Sequence, residues 1–357
     1  MQKDNENVKE MKQYKSLDLA KFVCAVLIII LHTAPFSSYS SALSFGFRNI
    51  VTVIAVPFFF VTSGFLAFKK MDTLPSDFKK QYIRHYLMRL LVMYLVWSAV
   101  YFPFVIIRWV QKGFSFDLVL EYVKDFFLEG SYSTIWFLPA LLVATLLVYL
   151  LHKKLSYKMI FIIACIIYVF TLGGSSYYGL VTKIPAFEAV YNLYYTVFDS
   201  IKNGVCFGLI FVSMGAMLAE REERITEKPS FAKDIILASL FAVLLAAEEF
   251  LVAYMRWNDR GVDTVIMLVP FTFFFVKFLL QFHLNISDRV CVTMRKLSIL
   301  MFLTQRIPLS IIEMLMQDTV IYTNSLLYFA VVLASTMLIS FGIVKASEKI
   351  KILKRIY

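Results

Sequence analysis

One apolar stretch near the start of the chain carries three side chains that could move a proton or hold an anion. His32 follows Lys21 by eleven residues and Asp18 by fourteen. At 100° per residue, both spacings return to within about 40° of one direction, so the three side chains share one helix face. Imidazole exchanges protons near neutral pH, which makes His32 the candidate general base. The alternative is a histidine bonded to a carbonyl group at the helix end.

Arg84 and Arg89 stand where the third apolar stretch begins. An arginine fork binds phosphate through two parallel hydrogen bonds, so both residues are candidates for holding a phosphorylated substrate. The alternative is anchoring at the membrane surface by an extended side chain, and this interpretation suits Arg84 better. Arg89 lies deeper, and its position favours a functional role.

Further charged residues fall inside or beside apolar stretches. Arg306 lies in the middle of the ninth stretch, and Arg48 begins the second on its outer side. A charge at the centre of a bilayer costs about 2.5–3.5 kcal/mol, so a charged residue there is a candidate for function. Arg306 either serves a site or forms a structural ion pair with Glu248 or Glu249 of the seventh stretch. The possible supporting residues are therefore Asp18 of the first helix, Arg48, Glu248 and Arg306.

The composition indicates whether the surroundings of these side chains are water or a lipid bilayer. Of the 357 residues, 60% are hydrophobic and 17% are charged, and the mean hydropathy is +0.72. A water-soluble domain has about 45–50% apolar and about 25% charged residues, so this composition excludes a soluble protein. The apolar stretches are long and lack the ten-residue alternation of membrane strands, which favours helices over a barrel. The sequence therefore predicts an all-α fold, a polytopic membrane helix bundle.

Hydropathy predicts about ten transmembrane helices with a tail at each end. The predicted spans are 17–36, 47–68, 86–107, 134–151, 156–172, 203–219, 232–254, 263–284, 297–317 and 322–344. They form one transmembrane domain over 17–344, with an N-terminal tail over 1–16 and a basic C-terminal tail over 345–357. The outer connections 108–133 and 173–202 are long, and we expect them to carry an outward-facing lid or acceptor surface.

The formal charge of +11 comes from 36 lysines and arginines against 25 acidic residues. Most of the basic residues lie in the segments that share a side with the N-terminus, and few lie in the opposite segments. The positive-inside rule therefore predicts that both termini are cytoplasmic. This charge indicates topology and does not indicate nucleic-acid binding. It also makes the cytoplasmic face attractive to anionic lipid or to a phosphorylated substrate.

Several reaction classes lack the motifs that they require. The chain contains no Walker A loop, no GxGxxG, no HExxH and no GxSxG. Nucleotide-driven transport, zinc proteolysis and a serine-hydrolase elbow therefore have no motif support. The four cysteines stand at unrelated spacings with no Cys/His cluster, which predicts neither a disulfide framework nor a metal site.

Taken together, these stretches resemble the acyltransferase-3 family of bacterial integral-membrane O-acyltransferases, and within it the membrane domain of the vancomycin-resistance serine racemases. The resemblance covers nearly the whole chain. It rests on the order of SLDLAKFVCAVLIIILH at 16–32, VPFFFVTSGFL at 56–66, RHYLMRLLVMYLVWS at 84–98, IWFLPALLVATLL at 135–147, KNGVCFGLIFVSMGAML at 202–218 and MRKLSILMFLTQRI at 294–307. Three positions depart from the family pattern: Lys21 is more often arginine, Tyr86 replaces the first arginine of an Arg-x-x-Arg pair, and Gln305 replaces a histidine.

The resemblance implies an acyl donor, usually acetyl-CoA, that approaches from the cytoplasm, and a hydroxyl acceptor that is modified towards the outer surface. It implies that His32 is the catalytic residue, acting either as a general base or as an acyl relay. It also implies that Lys21 and Arg89 bind the donor, and the residue-level argument adds Arg84. The expected partners are the lipid bilayer, acyl-CoA and an envelope glycan or another hydroxyl acceptor, without a metal, in the plasma membrane of a bacterium.

A transporter or sensor is the alternative class. Buried charges would then line a solute path, and no covalent bond would form. Serine uptake without acyl transfer is the specific form that the racemase-linked relatives suggest. A purely structural membrane protein would explain the topology but not the polar face of the first helix.

Overall fold

The computed structural model describes residues 13–261 and 264–357. Most of the predicted N-terminal tail, residues 1–12, lies outside this range. Within the described residues the secondary structure is helical, as predicted. The α-helices are, in chain order, α1 (Lys15–Thr33), α2 (Ser41–Phe45), α3 (Ala55–Asp72), α4 (Ser76–Lys112), α5 (Phe116–Leu128), α6 (Phe137–His152), α7 (Tyr157–Gly173), α8 (Tyr178–Val181), α9 (Pro185–Tyr195), α10 (Leu209–Glu220), α11 (Glu222–Glu227), α12 (Phe231–Tyr254), α13 (Leu268–Gln281), α14 (Asp288–Thr304), α15 (Arg306–Leu315), α16 (Val320–Thr323) and α17 (Ser325–Lys349).

Six helical segments of the described chain are long and apolar enough to cross a bilayer. They are α1, the continuous segment Ser41–Asp72 that ends in α3, α4, α12, the pair α14 and α15, and α17. Four shorter apolar helices, α6, α7, Gly204–Glu220 and α13, coincide with the remaining predicted spans. The protein is therefore a helical membrane protein with six spans by length, and the total of ten stays a prediction.

Ion pairs between connections define two ends of the bundle. Lys15 at the start of α1 pairs with Asp288 at the start of α14 at 2.7 Å, at what we call the inner end. Lys124 of α5 pairs with Asp199 after α9 at 2.8 Å, at the outer end. These ends match the predicted sides of the same segments. The charge bias alone identifies the inner end as cytoplasmic, so the orientation also stays a prediction.

The helices α3 and α10 approach each other so closely that only glycine fits at their points of contact. A Cβ atom added to Gly64 would lie 2.6 Å from the carbonyl oxygen of Val212, and one added to Gly215 would lie 2.2 Å from that of Val61. Small residues are the usual means of close helix contact in a bilayer, where hydrophobic association between helices is weak. The pair α3 and α10 therefore forms the closely packed centre of the bundle.

The ninth predicted span, 297–317, is not a single helix. It is interrupted at Gln305, where α14 ends and α15 begins. Pro308 lacks the N–H that would complete the helical turn below it, and a proline ring clashes with the turn before it. The hydroxyl of Tyr101 donates to the carbonyl oxygen of Leu303, one residue before the end of α14. The interruption places two successive polar residues, Gln305 and Arg306, inside the bundle.

The short helices leave a recess at the outer end. Sixteen residues, the length of α6, rise about 24 Å, which is less than the roughly 30 Å of bilayer hydrocarbon. The inner end of α6 packs near Tyr157, whose ring stacks on that of His152 at 3.8 Å. Its outer end, next to Trp136, borders a cavity.

We expect Gly215→Ala to destabilise the protein, because the added methyl group meets backbone atoms that cannot move aside. Overpacking of this kind costs about 1–3 kcal/mol. Thermal unfolding of the detergent-solubilised protein measures the effect as a lowered Tm. Gly342→Ala in α17 is the matched control, since a Cβ there has open space around it. Equal Tm changes for the two variants would contradict the close contact.

Candidate functional site

At the inner end, the first helix is held by an ion pair between a buried aspartate and a partly exposed arginine. The Arg295 guanidinium of α14 donates to both carboxylate oxygens of Asp18, with Nε to Oδ1 at 2.9 Å and Nη2 to Oδ2 at 2.6 Å. Lys21 is buried one turn further along α1 and lies within electrostatic range of both groups. Two parallel charge-assisted hydrogen bonds are the strongest form of such a pair. The carboxylate therefore offsets one of two clustered positive charges at this end.

His32 lies in the last turn of α1, at the outer end of the same helix face. The helix terminates at Thr33, and Ala34 adopts a left-handed conformation with φ of 44° that returns its N–H to the carbonyl oxygen of Ile30. Ala25 and Ile28 fill the face between Lys21 and His32, and both are buried. His32 itself is half-buried. The predicted polar face of α1 is thus directed into the protein, with a half-buried histidine at its outer end.

Three basic side chains surround His32 within electrostatic range: Arg306, Arg48 and Lys202. Arg306 comes from the interruption between α14 and α15, Arg48 from the segment Gly46–Val51, and Lys202 from the connection before α10. Arg48 is exposed at the outer end. Positive groups placed around a reacting centre stabilise negative charge that develops there. The outer end of α1 is therefore suited to a reaction that passes through an oxyanion.

The partner of Arg306 is Glu313, not the glutamates of the seventh stretch. Its guanidinium lies 3.2 Å and 3.1 Å from the two carboxylate oxygens of Glu313, and Arg108 of α4 approaches the same carboxylate at 3.9 Å. The two residues lie seven apart on α15, on one helix face. The spacing of the two residues could have predicted this ion pair within one helix. It replaces the pair with Glu248 that was one of the expected alternatives.

Glu248 supports the structure elsewhere. One carboxylate oxygen accepts from the N–H of Ile266 and the other from that of Met267, both at 2.7 Å, just before α13 begins. The hydroxyl of Tyr177 also donates to Glu248. Unpaired N–H groups at a helix start require acceptors, and a carboxylate there also favours the helix dipole. Glu248 therefore orders the start of α13, and the structure does not bring it to His32.

Two stacked tyrosines connect the Arg306 pair to the outer end of α4. The rings of Tyr101 and Tyr132 stack with centroids 4.7 Å apart, and the Arg108 guanidinium lies 5.1 Å from the centre of the Tyr132 ring. The Tyr132 hydroxyl bonds to the hydroxyl of Ser310 on α15 at 2.7 Å. Cations and aromatic faces attract each other in this geometry. The tyrosines thus fix the position of α15 relative to α4.

An outer cavity of about 480 Å³ opens beside this network. We use the name outer cavity for the space between α4 and α5, whose walls include Arg108, Trp109, Glu121, Asp125 and Trp136. It falls within the volume range of small-molecule sites, roughly 300–1,000 Å³. Aromatic faces and charges of both signs line it, a mixture suited to a polar, hydroxyl-rich molecule.

A second cavity of about 490 Å³ lies between the segments that follow α7, α9 and α12. The Arg260 guanidinium lies 3.9 Å from the ring centre of Tyr195 and 5.0 Å from that of Tyr178. Asp259 lines the same space, together with the fully buried Ser175, whose hydroxyl has no hydrogen-bond partner. This second cavity therefore holds charges of both signs and a hydroxyl group.

Lys202 and Ser200 border both cavities. Because Lys202 also lies within electrostatic range of His32, it connects the candidate catalytic residue to the outer cavity. The longest predicted outer connections, 108–133 and 173–202, supply most of the lining residues of the two cavities. An acceptor-side surface was predicted for these connections, but the individual lining residues were not.

The predicted donor-binding arginines of α4 do not join Lys21 in one cluster. Arg84 is exposed on α4. Arg89 donates to the main-chain oxygen of Tyr357 at 2.6 Å, and the Trp97 indole donates to that of Ile356 at 2.9 Å. The end of the predicted C-terminal tail therefore packs back against the inner half of α4. The donor-binding roles of these arginines stay predictions.

One group of acidic side chains in the described residues is close enough to hold a metal ion. The carboxylates of Glu121, Asp125 and Asp199 lie within 4.8 Å of one another. The Lys124 ammonium lies 2.8 Å from Asp199 and 3.8 Å from Asp125, so it already neutralises part of this charge. We assign the group to this ion pair and to the wall of the outer cavity.

The structure thus unites some of the predicted residues and adds others. His32, Arg306 and Arg48 meet at the outer end of α1, and Asp18 and Lys21 meet at the inner end. Sequence reasoning missed the roles of Arg295, Lys202, Arg108 and Glu313, because each was counted only for its topology or its helix face. The spacing of seven residues between Arg306 and Glu313 was the one signal that pointed to a contact.

Comparison with known proteins identifies the family of this bundle. The family profile described as "Acyltransferase domain" matches residues 14–345. The chain belongs to the acyltransferase-3 family. It therefore carries an acyltransferase domain, which is the domain of a transferase enzyme. No solved structure matches the chain.

Three similar proteins come from enterococci. An amino-acid racemase of Enterococcus faecalis is 30% identical over 240 residues, which are 67% of this chain and 33% of the racemase. A second amino-acid racemase of that species is 25% identical over 344 residues, 95% of this chain and 47% of its own length. A serine/alanine racemase of Enterococcus gallinarum is 25% identical over 328 residues, covering 90% and 45%. The chain thus spans between a third and a half of the length of these relatives.

We expect Arg295→Ala to destabilise the fold, because Asp18 would remain buried without its partner. Because Arg295 is partly exposed and solvent screens its charge, the expected cost is that of leaving a buried acceptor without its hydrogen-bond partner, about 1–3 kcal/mol. Thermal unfolding in detergent measures the change, and Lys345→Ala, which removes an exposed pair with Glu348, serves as the control. A double variant, Asp18→Asn with Arg295→Gln, should recover part of the loss because neither charge remains. Equal Tm values for Arg295→Ala and the control would refute a stabilising pair.

The stability of the outer cavity wall should depend on pH through Asp125. Burial raises the pKa of this carboxyl group from 3.8 to about 6, and the charge of Asp199 raises it further while Lys124 lowers it. Because the pKa is higher in the folded state, the ionised group destabilises the fold at neutral pH; this cost begins to fall below about pH 6 and is gone only below the unfolded value of 3.8. We therefore expect Asp125→Asn to raise the Tm at pH 7.5 and to raise it less at pH 5. Asp117→Asn, on the same helix, controls for the loss of one charge.

Proposed function

We propose that the protein is a membrane O-acyltransferase that moves an acyl group, acetyl in the simplest case, from cytoplasmic acyl-CoA to a hydroxyl group of an envelope glycan. The proposal extends the family membership to a donor, an acceptor and a location in the bacterial plasma membrane. The observation that carries it is the buried face of α1. That face has clustered positive charge at its inner end and a half-buried imidazole at its other end, within electrostatic range of Lys202, which lines the outer cavity.

The donor would bind from the inner end. Its phosphates carry negative charge, and Lys21 and Arg295 supply positive charge that Asp18 offsets only in part. Arg84 and Arg89 are further candidates on α4. From Lys21 to His32 the helix rises about 16 Å, a distance that an extended pantetheine arm can cover. The thioester carbonyl would then lie near the imidazole.

Two reaction sequences fit the arrangement. In the first, His32 removes the proton of the acceptor hydroxyl, and the oxygen attacks the thioester carbonyl. The C–S bond breaks as the tetrahedral intermediate collapses, and the CoA thiolate takes the proton back from His32. In the second, an imidazole nitrogen attacks the thioester, and CoA leaves as the thiol. The acceptor oxygen then attacks the acyl-imidazole, so the acyl group forms an ester and His32 is regenerated.

The positive groups around His32 have a role in both sequences. Each tetrahedral intermediate carries a negative oxygen, and donors and charges that are already in place stabilise it without reorganisation. Arg306 is held by Glu313, and Arg108 braces the same carboxylate. We infer that this pair fixes Arg306 as a positioned charge instead of a mobile one.

A transporter or sensor of a small zwitterion is the second candidate function. The second cavity supports it, because Arg260 and Asp259 offer charges of opposite sign beside the unpartnered hydroxyl of Ser175. Relatives of this chain are an amino-acid racemase and a serine/alanine racemase by name. Serine accumulation in vesicles without any change in acetyl-CoA would favour this function over acyl transfer.

Thioester consumption by the purified protein tests the proposal. The protein in bilayer discs receives acetyl-CoA and a mixed envelope-glycan extract, and release of free CoA is measured. We expect His32→Ala to reduce the rate by about 10²–10⁴-fold, the usual contribution of a general acid or base. His85→Ala is the matched control, since that histidine is exposed and bonds to the Gln81 carbonyl oxygen of its own helix.

Lys21→Ala should raise the KM for acetyl-CoA while leaving the rate at saturation much less affected, because its charge would act on binding. Folded, inserted wild-type protein that releases no CoA with any extract would remove the support for an enzyme. Wild-type rates in His32→Ala would reject both reaction sequences.

A further inference from the structure

One helix in the outer connection presents an apolar stripe to the surroundings of the bundle. On α5, Phe116, Leu120, Val123 and Phe127 have exposed fractions of 69%, 53%, 47% and 75%. Their spacing of four, three and four residues places them on one helix face. Four large apolar side chains so exposed on one helix are unusual in contact with water. The stripe therefore requires an apolar cover.

The opposite side of α5 is polar and faces the outer cavity. Glu121 and Asp125 line that cavity together with Tyr122. Helices with one charged face and one face of leucine and aromatic residues lie at membrane interfaces, with the apolar face in the acyl chains. α5 alone thus separates the outer cavity from the material that covers the apolar stripe.

α5 runs back along α4 instead of away from the bundle. The ring of Tyr122 contacts that of Trp109 at 5.7 Å, and the ring of Phe126 contacts that of Tyr94 at 5.2 Å. The Tyr94 hydroxyl also donates to the carbonyl oxygen of Phe126 at 2.6 Å. Both partners lie on the part of α4 between Tyr94 and its end at Lys112, so α5 lies along the outer half of that helix.

The side of α4 next to this contact is already lipid-facing. Ile106, Ile107 and Val110 have exposed fractions of 43%, 44% and 71% on a helix long enough to span the bilayer. The stripe of α5 continues this surface. Continuity with a membrane-facing helix identifies the cover of the stripe as the acyl chains of the outer leaflet.

A similar helix borders the second cavity. Phe187, Val190 and Leu193 of α9 have exposed fractions of 50%, 49% and 72%. Tyr195, at the end of the same helix, lines the second cavity. Both cavities are therefore flanked by a helix whose other face is apolar and exposed, so both open at the depth of lipid head groups.

We propose that the acceptor is a lipid-anchored molecule of the outer leaflet, with a hydroxyl-rich head group that enters the outer cavity while its chains lie along the stripe of α5. This proposal rests on the proposed acyl transfer and names its acceptor class. Charges of both signs and the faces of Trp109 and Trp136 line the cavity and suit a polyhydroxylated head. A free polysaccharide would gain nothing from the apolar stripe, whereas an anchored head group is delivered to the cavity opening by diffusion in the membrane plane.

Partition of the reaction product tests the acceptor class. An envelope extract is divided into an organic-solvent fraction, reconstituted in the discs, and an aqueous glycan fraction, added outside them. With acetyl-labelled acetyl-CoA, we expect at least ten times more label in the lipid fraction than in the glycan fraction. Preferential labelling of the aqueous glycans would overturn the lipid-anchored acceptor and leave acyl transfer intact. Absence of label and of CoA release would overturn acyl transfer itself.

A variant pair tests the role of the stripe. Phe127→Ser should reduce both the labelling of the lipid fraction and the CoA release that accompanies it several-fold. Phe341→Ser on α17 removes an exposed phenylalanine far from the cavity and should leave both rates unchanged. Equal losses in the two variants would argue against a specific role of α5.

Lipid contact can be measured independently of activity. Phe127→Trp adds one indole at the stripe, and its emission is obtained by difference from the wild-type protein. Brominated acyl chains in the discs should quench this emission strongly, because bromine quenches only at contact. An unquenched indole would show that the stripe is not covered by lipid and would overturn the proposal even if acyl transfer is observed.

Discussion

The structure depends on the rule that a charge in the bilayer must find its counter-charge within the protein. Hydrocarbon supplies no hydrogen bonds, so each buried ionic group is stable only with a bonded partner. Asp18 with Arg295 and Arg306 with Glu313 follow this rule at opposite ends of the bundle. The first pair joins α1 to α14, and the second stabilises the short helix that continues α14. The candidate site lies between them, because these pairs fix the helix face that carries Lys21 and His32.

Much of the fold could be predicted because hydropathy and helix periodicity are local properties of the chain. The predicted spans coincide with long or short apolar helices, and the face shared by Asp18, Lys21 and His32 is directed inwards. Contacts between distant segments could not be predicted in the same way. Arg295 was one of many basic residues near a helix start, and nothing local distinguished its contact with a residue 277 positions away. The position of Lys202 likewise depends on the packing of α10 against α6.

The departures from these predictions share a physical cause as well. Glu248 and Glu249 were one alternative as partners of Arg306, because opposite charges in apolar stretches attract each other within the membrane. The start of α13 competes for the carboxylate of Glu248 with two N–H groups that have no other acceptor nearby. Similarly, the ninth predicted span coincides with one candidate membrane span, Asp288–Leu315, but hydropathy could not predict its interruption at Gln305, because hydropathy is insensitive to the missing N–H of Pro308. In both cases, the hydrogen bonds that the backbone requires determined the observed structure.

The close glycine contact between α3 and α10 also limits how the molecule can move. Each glycine faces the backbone of the other helix, so sliding α10 by one residue would place the side chain of Met214 or Ala216 where Gly215 now fits. The two helices are thus locked in register and behave as one rigid unit. Any opening that admits a substrate must use elements outside this unit. The bundle can change its conformation at two places. One is the interruption at Gln305, and the other is the helix α5, which is held mainly by aromatic contacts.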